Sequence, residues 1–332
     1  MVSDNIKIVS IIGIMDSLCK QLDDSFLNLK NCFGKLTNDE RLAFNVEIPD
    51  KHMSEIQKAS SDFILSSLKF CNYKGDDVIH GLKKYCNELP NLNQNGLLCP
   101  KREHIESFNR IHASVANYLK DYGLESALTF GHIPLYLRIN TGIYKNKALY
   151  SRPYATTKWH LDAWAGESAD VVVFFVPLFG NFNDLGVEFR EMDPEKEESA
   201  LHTLRDYSDG AAYIRGSNLL PVKIIKNNLL CWDIRTLHRT LRAKEDIRVG
   251  LDFRFRLKSS STLKRISNKI LEKGRLDNYI KYDEWLEIGK SKKVFINQTM
   301  EEAQNLYKNN TSKEIKKNKF ESAVKYEIIS TN

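Results

Sequence analysis

The chain has 332 residues and 38.3 kDa, with 42% hydrophobic and 28% charged residues, a globular composition that excludes wholesale disorder and a collagen-like fibre. That length allows one large domain or two modest ones, because a single core stops growing at about 250–300 residues. The net charge of +6 lies mostly beyond residue 258, where 15 basic residues are interleaved with 10 acidic ones in a pattern of solvated helix faces, and no zinc finger, RNP-type sequence or glycine-arginine tract points to nucleic acid.

The longest apolar run, Ile8 to Met15, is interrupted by Ser10 and Gly13 and is far shorter than the about 18 residues of a membrane span. It also lacks the basic flank and small-residue cleavage site of a signal peptide. The six cysteines are scattered with no C-x-x-C pair, as suits reduced thiols. A soluble, cytoplasmic protein is expected. Asn297-Gln-Thr299 matches a glycosylation sequon, which has no meaning without secretion.

Residues 1–128 read as mostly helical. Ile8, Ile12, Met15, Cys19, Leu22 and Phe26 recur at helix spacing, as do Ile56, Ala59, Phe63 and Phe70. Thr37-Asn-Asp-Glu40 has the form of a capping box opening a short helix. Asn91 to Pro100, rich in Asn, reads as a loop. The clearest stripe is Ile105, Phe108, Ile111, Val115 and Leu119, closed by Gly123.

From about Ile133 the period becomes two, and β-branched and aromatic residues dominate. The pattern predicts strands at Ile133–Asn140, Thr156–Leu161, Asp170–Pro177, Gly186–Glu191, Ala211–Arg215, Val222–Lys226, Leu229–Asp233 and Ile247–Leu257. Short strands with polar turns and few helices between them indicate an antiparallel barrel or sandwich. After Ser259–Thr262 a helical pattern resumes, with Tyr279, Ile280, Trp285 and Leu286 as packing residues. The expected organisation is a helical region at 1–128, a β core at 129–258 and a basic helical region at 259–332.

The β core contains Trp159-His160-Leu161-Asp162. On a strand, residues i and i+2 share a face, so His160 and Asp162 can meet one ion. On a helix they diverge by about 200°, which removes His104-Ile-Glu106 and leaves His104 and His112 as ordinary helix residues. A third ligand must come from elsewhere. His202 follows the acidic stretch Glu195–Ser199 and reads as a loop or helix residue, whereas His238 ends a polar turn, an apolar strand and an acidic residue. Two imidazoles and one carboxylate on one side of a metal leave the other side open, an arrangement that favours Fe(II) in an oxygenase; His₂-carboxylate zinc hydrolases share it.

Ten residues after His238, Arg248 opens the stretch Arg248-Val-Gly-Leu-Asp-Phe-Arg-Phe-Arg256. Alternation puts Arg248, Gly250, Asp252, Arg254 and Arg256 on one face. An arginine on a packed strand is costly unless a fixed anion meets it, and a carboxylate accepts two parallel hydrogen bonds from guanidinium. Arg254 competes for that task, and an ordinary ion pair with Asp252 or Asp233 is the plain alternative.

His160-x-Asp162, then 75 residues, His238 and Arg248 together resemble the Fe(II)/2-oxoglutarate-dependent dioxygenases, and Arg248-Val-Gly-Leu-Asp-Phe-Arg-Phe is closest in flavour to the phytanoyl-CoA-hydroxylase-like branch. The match spans about residues 133–258. One departure is Asn227-Asn228 in the turn before the distal strand, where Gly-Asp is common. The resemblance implies a double-stranded β-helix (jelly roll) with helices on both flanks. It implies Fe(II) held by His160, Asp162 and His238, 2-oxoglutarate as cosubstrate paired with Arg248, and O₂ as oxidant. It also implies hydroxylation, since the halogenases of this family carry Ala or Gly where Asp162 stands. Desaturation, ring closure and epoxidation use the same ligands.

Thr156 is expected to help seat 2-oxoglutarate. Lys158, Arg138, Tyr136, Trp164, Glu167 and Arg254 are expected near the substrate, a small polar metabolite, amino acid or sugar. A cupin-like metal enzyme without 2-oxoglutarate and a non-catalytic β-barrel binding module remain the alternatives.

Overall fold

A computed structural model describes residues 2–93, 95–143, 147–258, 278–296 and 326–331, with side chains from Leu18 onward. The expected turn at 259–262, the sequon at 297–299 and most of the basic tail lie outside these residues.

Helix α1 (Val2–Phe33) leads into a hairpin of β1 (Leu36–Glu40) and β2 (Ala43–Glu47). Thr37–Glu40 therefore forms strand, not the start of a helix. Tertiary pairing overrides the local capping pattern, because β2 is zipped to β8 (Asn228–Asp233) and carries β1 with it. Helices α2 (Asp50–Leu68), α3 (Val78–Tyr85) and α4 (Ile105–Lys120) follow. The predicted stripes bury as expected along α2 and α4, except that Phe70 falls in the tight turn after α2 and is 54% exposed.

Next come β3 (Leu128–His132), β4 (Tyr136–Asn140), β5 (Val171–Gly180), β6 (Val187–Glu191), short helices α5 (Pro194–Glu197) and α6 (Ala211–Ile214), and β7 (Asn218–Leu220). After β8 stand β9 (Leu237–Thr240), β10 (Arg248–Leu257) and β11 (Tyr279–Lys281). The predicted strand at Ala211–Arg215 is thus the helix α6, and Val222–Lys226 forms no strand. The acidic stretch from Glu195 is partly helical, with Glu197 turned inward among arginines. Beyond α4 the described C-terminal residues are not mainly helical. They form β11, a short helix at Tyr282–Leu286, and an antiparallel pair of β12 (Lys292–Ile296) and β13 (Tyr326–Ser330).

Among the described residues the main sheet is eight-stranded, ordered β1-β2-β8-β5-β10-β3-β11 with β4 also on β10, and β7-β6-β9 form a second, three-stranded sheet. Among the described residues every ladder pair in both is antiparallel. Period-two alternation sorts the side chains of β5: Val172, Phe174 and Val176 join Phe63 and Phe108 of the helices, while Val173 and Phe175 face Trp232 and Phe189 on the other side. Each buried Phe or Val contributes about 1.5–3 kcal/mol. Helices cover one face of the main sheet and the smaller sheet covers the other. The space between the two sheets holds the polar residues singled out above.

Candidate metal centre

Asn227, at φ 61°, takes the left-handed conformation that turns the chain into β8, the role a glycine would otherwise fill. The turn from β8 to β9 is then fixed by a buried charge cluster. Arg235, fully buried, reaches Asp233 (2.9 Å), Asp23 on α1 (2.8 Å) and Glu197 on α5 (3.4 Å). Thr236 Oγ1 donates to Leu42 O at 3.2 Å. His238 follows on β9, opposite Phe189 of β6.

His160 lies outside any ladder, but its backbone makes an antiparallel bridge to His238, each N–H donating to the other's carbonyl at 3.0 Å. After Leu161 the chain enters a 3-10 turn at Asp162–Ala165. The predicted strand at Thr156–Leu161 is therefore a single bridged residue, and Asp162 meets His160 through that turn, not through strand alternation. The convergence is nevertheless tight. One donor atom from each of His160, Asp162 and His238 lies within 4.8 Å of the others, and all three residues are buried.

The two imidazoles are oriented alike. His160 Nδ1 stands 2.8 Å from Lys158 O, and His238 Nδ1 stands 3.1 Å from Thr236 O. A carbonyl only accepts, so Nδ1 carries the proton and Nε2 keeps its lone pair. Both Nε2 atoms point at one oxygen, Asp162 Oδ1, at 3.8 and 3.7 Å. Donors about 2.1 Å from a shared ion stand about 3–4 Å apart, so this set fits a divalent cation. Burial, then the neighbouring His238, pushes His160 down to about 3, so the ring is neutral and able to ligate. Burial works against ionisation of Asp162, but Arg254, His238 and His160 outweigh it and hold the carboxyl below its usual range. Tyr207 stacks on the His160 ring at 4.3 Å and fixes its plane.

Arg254 Nη2 donates to the second oxygen, Asp162 Oδ2, at 3.1 Å, and Nη1 is 3.6 Å from Glu167 Oε1. Tyr279 donates to Glu167 Oε2 at 3.0 Å. Arg138 Nε donates to Asp252 Oδ2 at 2.7 Å, and the same oxygen is 4.0 Å from Arg254. Of the expected face of alternate β10 residues, Arg248, Asp252 and Arg254 line the chamber that contains the three converging residues, a cavity of about 80 Å³, whereas Arg256 pairs with Asp170 at 2.7 Å. Arg248 differs from its neighbours. It is buried and its Nε meets no hydrogen-bond partner, and among the described residues it makes no ion pair with Asp252 or Asp233. Burial, then Arg242 and Arg138, push its pKa down to about 9 against the pull of Asp252. The guanidinium lies 5.2 Å from the Phe175 ring centre, and Phe175 in turn packs where a Cβ on Gly250 would stand, 2.5 Å from the ring.

Thr156 and Arg138 line the chamber as expected. Four other expected residues do not. Lys158 is turned to Asp206 at 2.7 Å. Trp164 is fully buried, donating from Nε1 to Ala200 O at 3.0 Å, so it is core and not a substrate contact. Glu167 backs Arg254 from outside the chamber, and Tyr136 places its ring beneath Arg138 and Arg254. Lys158 is expected from strand parity with His160, Tyr136 from its place on an earlier strand, and Trp164 and Glu167 from following the ligands in the chain; the 3-10 turn after Leu161 redirects the last two. His104 and His112 belong to the α4 region and play no part in the chamber. The sequence reading missed Asn140, Trp232, Phe175 and Arg242 as lining residues. Asn140 shares strand parity with Arg138 and was readable; Arg242 lies past the end of β9, where alternation gives no signal.

No protein-family model and no curated protein matches the chain. Similar solved structures include the non-heme alpha ketoglutarate dependent epimerase SnoN from nogalamycin biosynthesis, at 12% identity and TM-score 0.37, covering 69% of this chain and 82% of that one. EctD from S. alaskensis, solved with 2-oxoglutarate and 5-hydroxyectoine, is 13% identical at TM-score 0.40, covering 64% and 71%. An N-substituted L-amino acid dioxygenase from Burkholderia ambifaria is 14% identical at TM-score 0.35, covering 70% and 90%. The likeness is remote in sequence and partial in structure.

Proposed function

We propose that the chain is an Fe(II)/2-oxoglutarate-dependent dioxygenase with a jelly-roll core, hydroxylating a C–H bond of a small polar metabolite. The observation that carries this reading is one chamber holding two lone-pair Nε2 atoms and one carboxylate oxygen aimed at a common point, with a buried, unpaired guanidinium lining the same chamber. His160, Asp162 and His238 would hold the iron. Arg248 would receive the distal carboxylate of 2-oxoglutarate, and Thr156 would assist from the opposite wall. When bound, ferrous iron and 2-oxoglutarate supply oxygen activation coupled to decarboxylation of the cosubstrate.

The remaining work is done by the chain. The carbonyls of Lys158 and Thr236 keep each Nε2 free of a proton. Arg254 holds Asp162 Oδ2 and leaves Oδ1 to the metal, keeping the carboxylate ionised. Phe175, Val187 and Trp232 wall the chamber and exclude water. A carboxylate at Asp162 fills the position a halide would need, which supports hydroxylation over halogenation. No helix among the described residues is long and apolar enough to cross a membrane.

Anaerobic titration of purified protein with Fe(II) and 2-oxoglutarate tests the proposal. A weak visible charge-transfer band, followed by succinate release on admitting O₂, is expected. Stoichiometric metal without the band would favour a cupin-like enzyme that does not use 2-oxoglutarate, and absence of bound metal would favour a binding module.

A further inference from the structure

An indole donates one hydrogen bond and accepts none, so a buried tryptophan needs an acceptor. Trp164 Nε1 donates to Ala200 O at 3.0 Å, and Trp285 Nε1 donates to His132 O at 2.8 Å. Trp232 on β8 is different. It is 4% exposed, and its buried Nε1 meets no hydrogen-bond partner among the described residues. A phenylalanine there would leave no donor unsatisfied. We propose that the Trp232 indole donates to the keto-acid carboxylate of bound 2-oxoglutarate, at the oxygen the metal does not take; the inference rests on the iron and 2-oxoglutarate reading of the chamber.

The surroundings leave one source for the acceptor. The Trp232 ring packs on Phe189, His238 and Phe175, with ring centres 5.4, 5.6 and 6.5 Å away. The phenyl rings carry no lone pair. Both His238 nitrogens are committed, Nδ1 to Thr236 O and Nε2 to the point it shares with Asp162. What remains is the chamber, which Trp232 lines together with His238, Phe175 and Arg248. The acceptor therefore arrives with the chamber's occupant.

Strand register decides which end of the cosubstrate it meets. Val173 of β5 pairs with Trp232 on one side and on the other with Arg254, the residue that holds Asp162. Trp232 thus stands in the row of the sheet beside the metal centre, whereas Arg248 opens β10 and lies well removed along that strand. Chelation would put the keto oxygen and one carboxylate oxygen on the metal, and the distal carboxylate on Arg248. One oxygen of the keto-acid carboxylate is then left, and a buried anionic oxygen needs a donor. A neutral N–H satisfies it without adding a cation to a chamber already lined by Arg138, Arg248 and Arg254.

The test compares wild-type and Trp232→Phe full chains as anaerobic Fe(II) complexes, titrated with 2-oxoglutarate while the visible band is followed. The variant keeps a ring and loses the N–H. It is expected to bind iron fully and 2-oxoglutarate about tenfold or more weakly, the size of one charge-assisted hydrogen bond. Infrared difference spectra with an isotopic label in either carboxyl locate the contact: the keto-acid carboxylate stretch should shift in the variant and the distal one should not. An unchanged titration overturns the proposal, as does a shift confined to the distal carboxylate. Loss of iron would make Trp232 a support for His238 and overturns it too. If the wild-type protein shows no band, the cosubstrate reading itself fails and this assignment with it; a wild-type band with equal affinity in the variant removes the indole contact alone. Should Trp232→Phe not fold, wild-type chain with isotope-labelled indoles and zinc in place of iron gives the answer by magnetic resonance. The indole signal in contact with the His238 ring is expected to move downfield on adding 2-oxoglutarate, and a stationary signal overturns the proposal.

Discussion

Arg248→Met acts in opposite directions on the protein alone and on its complex with 2-oxoglutarate. Arg248 is 6% exposed, with its Nε unpartnered and Arg242 and Arg138 pressing on the same charge. A buried cation without an anion costs several kcal/mol. The faces of Phe175 and Phe182, at 5.2 and 5.8 Å, offset about 1 kcal/mol of that. Methionine has a similar length and no charge, so the metal-free protein should gain about 1–3 kcal/mol, read as a rise in the urea midpoint at constant slope. In the proposed complex the guanidinium would make two charge-assisted hydrogen bonds to the distal carboxylate, and their loss should weaken 2-oxoglutarate binding by about 100-fold or more. A variant that unfolds at lower urea and binds 2-oxoglutarate normally would show that Arg248 is a structural residue, and the assignment would be withdrawn.

Three further outcomes follow from the same geometry. His160→Ala and His238→Ala should each lower metal affinity by about 100-fold or more, read as metal content after gel filtration; retention of stoichiometric iron would contradict the centre. Arg235→Met leaves Asp233, Glu197 and Asp23 facing one another around the turn that carries His238, and should destabilise the fold by about 3–5 kcal/mol in urea and weaken metal binding too. An unchanged midpoint would mean the cluster is not coupled to the fold. His112 accepts from Leu135 N at 2.9 Å, and burial, then His132, push it down to about 3. The unfolded imidazole gains a proton below about pH 6.5 while the folded one does not, so its stabilising share is present above that pH and lost as pH falls toward 3. His112→Gln should flatten the acid limb of the stability curve by up to about 1.4 kcal/mol per pH unit, and an unaltered slope would refute the assignment.

Much of this was legible in the chain. Strands β5, β8 and β10 announce themselves by long apolar or alternating runs, and the order His160, Asp162, His238, Arg248 needs only spacing and side-chain chemistry. The failures have physical causes. Thr37–Glu40 carries a helix-start pattern but pairs as a strand because the long-range partner β8 lies almost two hundred residues away, beyond any local signal. His160 and Asp162 meet as anticipated, although the reason differs: a cross-strand bridge and a 3-10 turn bring them together where simple alternation was expected. That same turn explains why Trp164 became core and Glu167 a support for Arg254. The competition between Arg248 and Arg254 could not be decided from parity, since both share the face; only the partners of each separate them, with Arg254 bound to Asp162 and Arg248 Nε without a hydrogen-bond partner.

Joint ligation of one ferrous ion by His160, Asp162 and His238 is the feature from which every proposed role in the chamber derives. X-ray absorption of the anaerobically reconstituted protein reads this directly. The expected result is one iron per chain in a nitrogen and oxygen shell that includes two imidazoles, lost in His238→Ala. Iron bound with no imidazole contribution, or a spectrum unchanged by that substitution, would contradict it.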